Sequence, residues 1–173
     1  MANYNTIDYI DLSTATQNAT DKGDLTRTGG YIGATEGDDY GYWCGGVSTN
    51  VIDYIDITTT SGNASDKGNL TRTNAWGAGC VAGDSYGFVG GGISSNVIDY
   101  FDNTTTSGNA SDKGDMTRSA CWGLGGVEGD SYGFFGGGST PDDIIDYIDI
   151  TTTSGNATDK GDLTSARQHI GGF

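Results

Sequence analysis

Basic side chains, proline, histidine and long apolar runs are all scarce in this 173-residue chain. Eight Lys and Arg stand against 23 Asp and Glu, a formal net charge of −15. Binding a phosphate backbone needs clustered Lys and Arg, so no nucleic-acid partner is expected, and an anionic membrane surface is disfavoured for the same reason. The longest apolar runs, such as Ile144-Ile145 and Phe134-Phe135, fall far short of the roughly 20 residues of a spanning helix, so no membrane insertion is expected. The opening residues Met1-Ala2-Asn3-Tyr4-Asn5 carry neither a basic nor an apolar signal segment, so no signal peptide is visible. One proline and no Gly-X-Y register exclude collagen and a proline-rich linker. The cysteines Cys44, Cys80 and Cys121 form no Cys-x-x-Cys pair and read as small buried hydrophobes rather than zinc or redox centres. The single histidine, His169, lies close to the end of the sequence and reads as a surface or edge residue.

Leu, Ile, Val and Phe number 29, about 17 % of the chain, which with this charge falls in the range typical of disorder. Three features outweigh that composition. Ten Tyr and three Trp add apolar area, the charges are scattered singly, and the apolar residues recur at a fixed long period. The tripeptide Ile-Asp-Tyr begins at Ile7, Ile52, Ile98 and Ile145, spacings of 45, 46 and 47 residues. Four units, at about 5–50, 51–96, 97–143 and 144–173 with the last incomplete, make a single repeat domain over 1–173.

Each unit has the same parts. In Val51 to Ile57, Val51 and Ile55 to Ile57 fall on one face and Ile52 and Tyr54 on the other, the pattern of a strand packed on both sides. Tyr86, Phe88 and Val89 repeat that two-sidedness, as do Tyr132, Phe134 and Phe135. The segment Ser-Gly-Asn-Ala-Ser-Asp-Lys-Gly is rich in turn formers and is expected to be a tight connection. Strings such as Gly123-Leu124-Gly125-Gly126 read as strand bends or places of close approach. No long segment has a 3.6-residue apolar period, so essentially no helix is expected. The expected fold class is all-β, a β-propeller-type repeat of four units with half-blade termini.

Gly90-Gly91-Gly92, the strand Ile98-Asp99-Tyr100-Phe101-Asp102 and the segment Gly114-Asp115-Met116-Thr117-Arg118 together resemble the kelch-type propeller blade. The stretch Thr152 to Arg167 is similar to the Gly/Thr/Asp-rich kelch-like repeats of tail-fibre and structural proteins of marine and environmental bacteriophages. The resemblance spans nearly the whole chain. It implies that the chain opens on the third strand of a blade at Thr6 to Leu12 and closes inside a first strand at Gln168 to Phe173. One departure concerns arginine: Arg27, Arg72 and Arg118 stand two residues after the Leu or Met, whereas only Arg167 stands four after it, as in the family pattern of contacts between blades.

Candidate sites follow from recurring polar and aromatic residues. Trp76 and Trp122 occupy equivalent positions and, with Tyr86 and Tyr132, are candidates for stacking on sugar rings; filling the core is the alternative. Asp21, Asp24, Asp66, Asp112, Asp115, Asp159 and Asp162 recur in a glycine-containing segment, where they either shape a turn or hold calcium, the one cofactor considered. Their spacing matches no EF-hand. Asn18, Asn63, Asn109 and Asn156 head formal glycosylation sequons, which serve equally as turn formers, and the Thr58-Thr59-Thr60-Ser61 tract and its copies could carry O-glycans. No activated nucleophile or unique acid pair stands out, so a non-enzymatic role is expected. The expected function is a structural or attachment module of a virion, tail fibre or extracellular filament, partnered by itself, with a lectin-like carbohydrate-binding module as the alternative.

Overall fold

The computed structural model describes residues 4–119, 121–139 and 142–171, and every regular element among them is a β-strand. Residues 1–3 of the opening segment, and Gly172 and Phe173 at the end of the expected first strand, lie outside the described residues. β1 (Tyr4–Tyr9) and β2 (Thr20–Gly29) form a two-stranded antiparallel sheet. Three four-stranded antiparallel sheets follow, each with its strands in chain order. The second sheet holds β3 (Gly33–Glu36), β4 (Tyr40–Cys44), β5 (Val51–Asp56) and β6 (Ser65–Asn69). The third holds β7 (Gly79–Ala82), β8 (Tyr86–Gly90), β9 (Val97–Asp102) and β10 (Ser111–Asp115). The fourth holds β11 (Gly125–Glu128), β12 (Tyr132–Gly136), β13 (Asp142–Asp149) and β14 (Thr158–Arg167). A sheet therefore straddles a repeat boundary, taking two strands from one unit and two from the next.

Local chemistry fixes the connections. The hairpins between first and second strands close through Gly37, Gly83 and Gly129, whose N–H groups donate to Tyr40, Tyr86 and Tyr132 carbonyls at 2.8, 2.8 and 2.9 Å. After each third strand an aspartate accepts from the backbone N–H and hydroxyl two residues on: Asp56 from Thr58, Asp102 from Thr104 and Asp149 from Thr151, at 2.8 and 2.6 Å in each case. Such side-chain turns compete with strand continuation and end the strand there.

The hydrophobic core is divided into three layers, each between successive sheets. Ile7 and Leu25 of the first sheet pack against Ile55 and Ala64 of the second. Tyr42, Ile52 and Leu70 of the second meet Val89, Phe101 and Ala110 of the third. Phe88, Ile98 and Met116 of the third meet Phe135, Ile148 and Ile150 of the fourth. The two-sided apolar pattern thus has its cause: one face of each middle sheet serves the layer before it and the other face the layer after.

The expected tight connection over Ser61 to Gly68 is corrected. Ser65 to Asn69 is β6, and only the residues before it connect strands. Gly68 sits at a register irregularity in that strand with φ +152°, and a Cβ there would stand 2.6 Å from the Gly108 carbonyl oxygen. Glycine is required because the next sheet comes that close.

Candidate functional site

The recurring charged residues converge on the boundaries between sheets, and each boundary is a seam of the same construction. In the first, Arg27 Nη1 pairs with Asp53 Oδ2 at 2.5 Å, and the Thr26 hydroxyl donates to the same carboxylate. Lys22 donates to the backbone carbonyl and hydroxyl of Thr59. The backbone closes the seam, with Gly62 N–H on the Lys22 carbonyl and Ala64 N–H on the Asp24 carbonyl, both at 2.8 Å.

The second seam repeats this with Arg72 on Asp99 at 2.6 Å, Thr71 on the same aspartate, and Lys67 on the Thr105 carbonyl at 2.6 Å. The third has Lys113 on the Thr152 carbonyl at 2.7 Å and Thr117 on Asp146. There Arg118 lies between two carboxylates, 3.2 Å from Asp142 and 3.4 Å from Asp146.

Asp53, Asp99 and Asp146 are fully buried, as are nearly all atoms of Lys22, Lys67 and Lys113. Burial pushes the Asp99 and Asp146 carboxyls above the usual range, although Arg72 and the Thr71 hydroxyl beside the first, and the Thr117 hydroxyl and Arg118 beside the second, pull them back. Burial likewise pulls the Lys67 and Lys113 ammonium groups down, opposed by Asp102 and Asp149 respectively. Burial of these charges is offset in two ways: the aspartates are ion-paired with arginine and accept from threonine, and the lysines donate to threonine carbonyls and hydroxyls, although among the described residues Arg118 Nε and Asp146 Oδ2 have no hydrogen-bond partner.

These seams correct the expectation drawn from arginine spacing. Arg27, Arg72 and Arg118 carry the contacts between sheets, while Arg167, which has the family spacing, is exposed, and among the described residues its guanidinium bonds to Ser165 of its own strand. The aspartate candidates Asp21, Asp24, Asp66, Asp112, Asp115, Asp159 and Asp162 are all exposed on the outer strands β2, β6, β10 and β14, and Asp159 accepts the Gly161 N–H two residues on at 2.8 Å. Among the described residues no three His, Cys, Asp or Glu side chains gather closely enough to hold a metal ion.

The sequon asparagines have a structural task. Asn63, Asn109 and Asn156 each accept, through the side-chain carbonyl, the backbone N–H of Asp24, Asn69 and Asp115 in the preceding sheet, all at 3.0 Å. Asn18, in the first sheet, is exposed.

The aromatic candidates separate into two places. Trp76 and Trp122 do come together, with ring centroids 5.9 Å apart, and the cluster extends to Tyr31 at 5.0 Å from Trp76 and to His169 at 5.1 Å from Trp122. Tyr31 and His169 approach each other to 6.1 Å, which closes the group into a ring. Tyr31, Trp76 and Trp122 lie just before the first strands β3, β7 and β11, while His169 follows β14, where residues 168–171 are not the expected strand. A backbone ladder joins them: Gly77 N–H to the Tyr31 carbonyl, Gly123 N–H to the Gly77 carbonyl, and His169 N–H to the Gly123 carbonyl. Trp76 Nε1 is buried without a hydrogen-bond partner.

Tyr86 and Tyr132 stand at the opposite ends of the same sheets, edge-on to Tyr100 at 5.7 Å and to Tyr147 at 5.5 Å. They are not part of the tryptophan cluster. Sequence reasoning missed Tyr31 and His169 as its members, because neither matches tryptophan although both fall at the equivalent point of their units. It also missed the buried lysines and aspartates, whose signal was their unbroken recurrence in Asp-Lys-Gly and Ile-Asp-Tyr.

Two of the surface cavities bear on the candidate site. One, of about 240 Å³, is apolar and lies against β11 to β14, lined by Val127, Phe134, Ile145, Leu163 and Ile170. Another, of about 610 Å³, lies where the hairpins Glu36-Gly37-Asp38, Gly83-Asp84 and Glu128-Gly129-Asp130 converge.

No family profile matches the chain, and no curated protein matches its sequence. In three dimensions the chain is similar to the solved structure of YjhT, with a TM-score of 0.73 over 96 % of this chain and 67 % of that one, at 11 % sequence identity. The likeness is one of fold: an all-β protein of repeated antiparallel sheets.

Proposed function

We propose that the repeated sheets are blades of a kelch-like β-propeller-type module, and that the chain is a non-enzymatic structural or attachment module of a virion, tail fibre or extracellular filament. It acts by displaying its surface loops and by assembling with itself. One observation carries this: the recurring Asp, Lys, Arg and Asn residues bind sheet to sheet in three like seams. Repetition that serves cohesion suits a building block. The similarity in fold to YjhT supports the repeat architecture and carries no activity across. Light scattering on the native chain tests the proposal: a defined oligomer or filament is expected, and a monomer at every concentration would count against it.

The aromatic cluster favours a second reading, a lectin-like surface that stacks a sugar ring on Trp76 and Trp122. In that case a glycan array gives a specific signal that Trp122→Ala abolishes while far-ultraviolet circular dichroism stays the same. Calcium would reveal itself in the same array as binding lost with a chelator.

A further inference from the structure

The seam is made of two unlike halves, and each half stands uncovered on one of the outermost sheets. The half that donates is on the fourth sheet. Lys160 of β14 occupies the position of Lys22, Lys67 and Lys113, yet it is exposed where they are buried. Val127, Phe134, Ile145 and Leu163 line the open apolar cavity; their counterparts Val81, Phe88, Ile98 and Met116 are buried in the third seam. The half that accepts is on the first sheet. Asp8 is exposed where its counterparts Asp53, Asp99 and Asp146 are fully buried. Ile10 is 54 % exposed, whereas its counterparts Ile55 and Ile148 are 3 % and 1 % exposed, and Leu12 is 89 % exposed against 44 % for Ile57 and 4 % for Ile150. Thr14 holds the same turn as Thr59, Thr105 and Thr152, with its hydroxyl on the carbonyl of the turn aspartate, Asp11, at 3.0 Å.

The geometry points to a second copy of this chain as the occupant: the β14 face of one copy docks on the β1–β2 face of the next and rebuilds the seam. Resting on the self-assembly proposed above, this names the surface that performs it. Lys160 meets the Thr14 turn, Thr164 meets Asp8, and the Asp162 N–H meets Asn18, while Ile10 and Leu12 fill the apolar cavity. Because the halves differ, the contact is head-to-tail, and it makes a closed ring or an open line according to whether the rotation closes.

Two departures from the internal pattern bear on the contact. Ser165 stands where the other units have Arg27, Arg72 and Arg118, and Gln17 stands where they have Gly62, Gly108 and Gly155. The first leaves Asp8 without a guanidinium, so the contact between copies is weaker than the seams within one. That gap is also the handle for testing it.

Sedimentation velocity over a concentration series is the experiment. The chain is expected to associate, and Lys160→Glu with Leu163→Asp to return it to monomer with its circular dichroism unchanged, since both side chains lie on the outermost strand. Ser165→Arg is expected to tighten association roughly tenfold, the size of one charge-assisted bond to a carboxylate, and Asp8→Asn added to it to remove the gain. An oligomer that ignores all of these variants overturns the assigned surface and leaves self-assembly standing. A chain that stays monomeric throughout, Ser165→Arg included, overturns both.

Discussion

Arg72 and Arg167 show how far position outweighs residue type. The Arg72 guanidinium reaches Asp99 and the carbonyls of Val89 and Gly91, and it leaves no buried carboxylate alone. Removing it strands that charge, so Arg72→Ala is expected to destabilise by about 3–5 kcal/mol in urea denaturation. Arg167→Ala should change stability by less than about 0.5 kcal/mol, because nothing beyond its own strand depends on it. Adding Asp99→Asn to Arg72→Ala should recover part of the loss. The cysteines follow the same logic of burial. Desolvation pushes the Cys121 thiol up to about 11, and burial with Cys80 beside it holds Cys44 protonated as well. Iodoacetamide at pH 8 is therefore expected to label Cys44 and Cys121 only after unfolding, which mass spectrometry of peptides from native and denatured samples would check.

Among elements, the turns after the third strands and the outer strands differ in what they depend on. Hydrogen bonds from the neighbouring Ser or Thr hydroxyl hold the Asp11, Asp56, Asp102 and Asp149 carboxyls below the usual range. A carboxyl lowered by folding contributes stability that is present above its unfolded value near 3.8 and lost as pH falls through the folded value. The buried Asp99 and Asp146 are raised, so they act with the opposite sign above that value. Thermal midpoints are therefore expected to fall below pH 4, and Thr104→Val to move the Asp102 carboxyl resonance titration upward.

The outer strands rely on glycine. Gly68→Ala is expected to cost about 1–3 kcal/mol or more, since the new methyl meets the Gly108 carbonyl oxygen at 2.6 Å in a backbone conformation already unfavourable to side chains. Gly161→Ala, at the same place in β14 with nothing within 4 Å, should cost only the backbone strain. Parallel chemical denaturation of the two variants separates close approach from strain. The third strand of each sheet was legible in the sequence, because the two-sided pattern of Ile52, Tyr54 and Ile55 has no other economical explanation, whereas the outer strands β6, β10 and β14 were hidden by turn-forming residues and few apolar ones. The seams were only half legible. Lys67 and Asp99 recur in every unit and were still missed, because the repeat alone does not say that a lysine in a glycine-rich stretch turns inward to cap the next sheet. That depends on the distance between sheets, which no single unit encodes.

For the whole molecule, cohesion is local and charge is global. Each sheet meets its immediate neighbours through one seam of like construction, so much of the stability is a sum of like terms, as in other repeat proteins, and the Tyr31–Trp76–Trp122–His169 cluster with its backbone ladder adds a contact shared by all units. The charge of −15 acts between copies over a range of about 10 Å at 0.1 M salt. Association of copies is therefore expected to weaken as ionic strength is lowered from 0.15 M to 0.01 M, a trend that sedimentation at fixed protein concentration would detect. Were the contact held only by opposite charges, the trend would reverse.

The seams also have a mechanical meaning. Joined one after another, they form links in series, and a pull along the repeat is felt equally by every link. Between copies the contact without a guanidinium gives way first; within one copy the loosest ion pair is in the third seam, where the Arg118 guanidinium is divided between Asp142 and Asp146 rather than seated on one carboxylate. Lengthening such a strand by further units adds reach without adding strength.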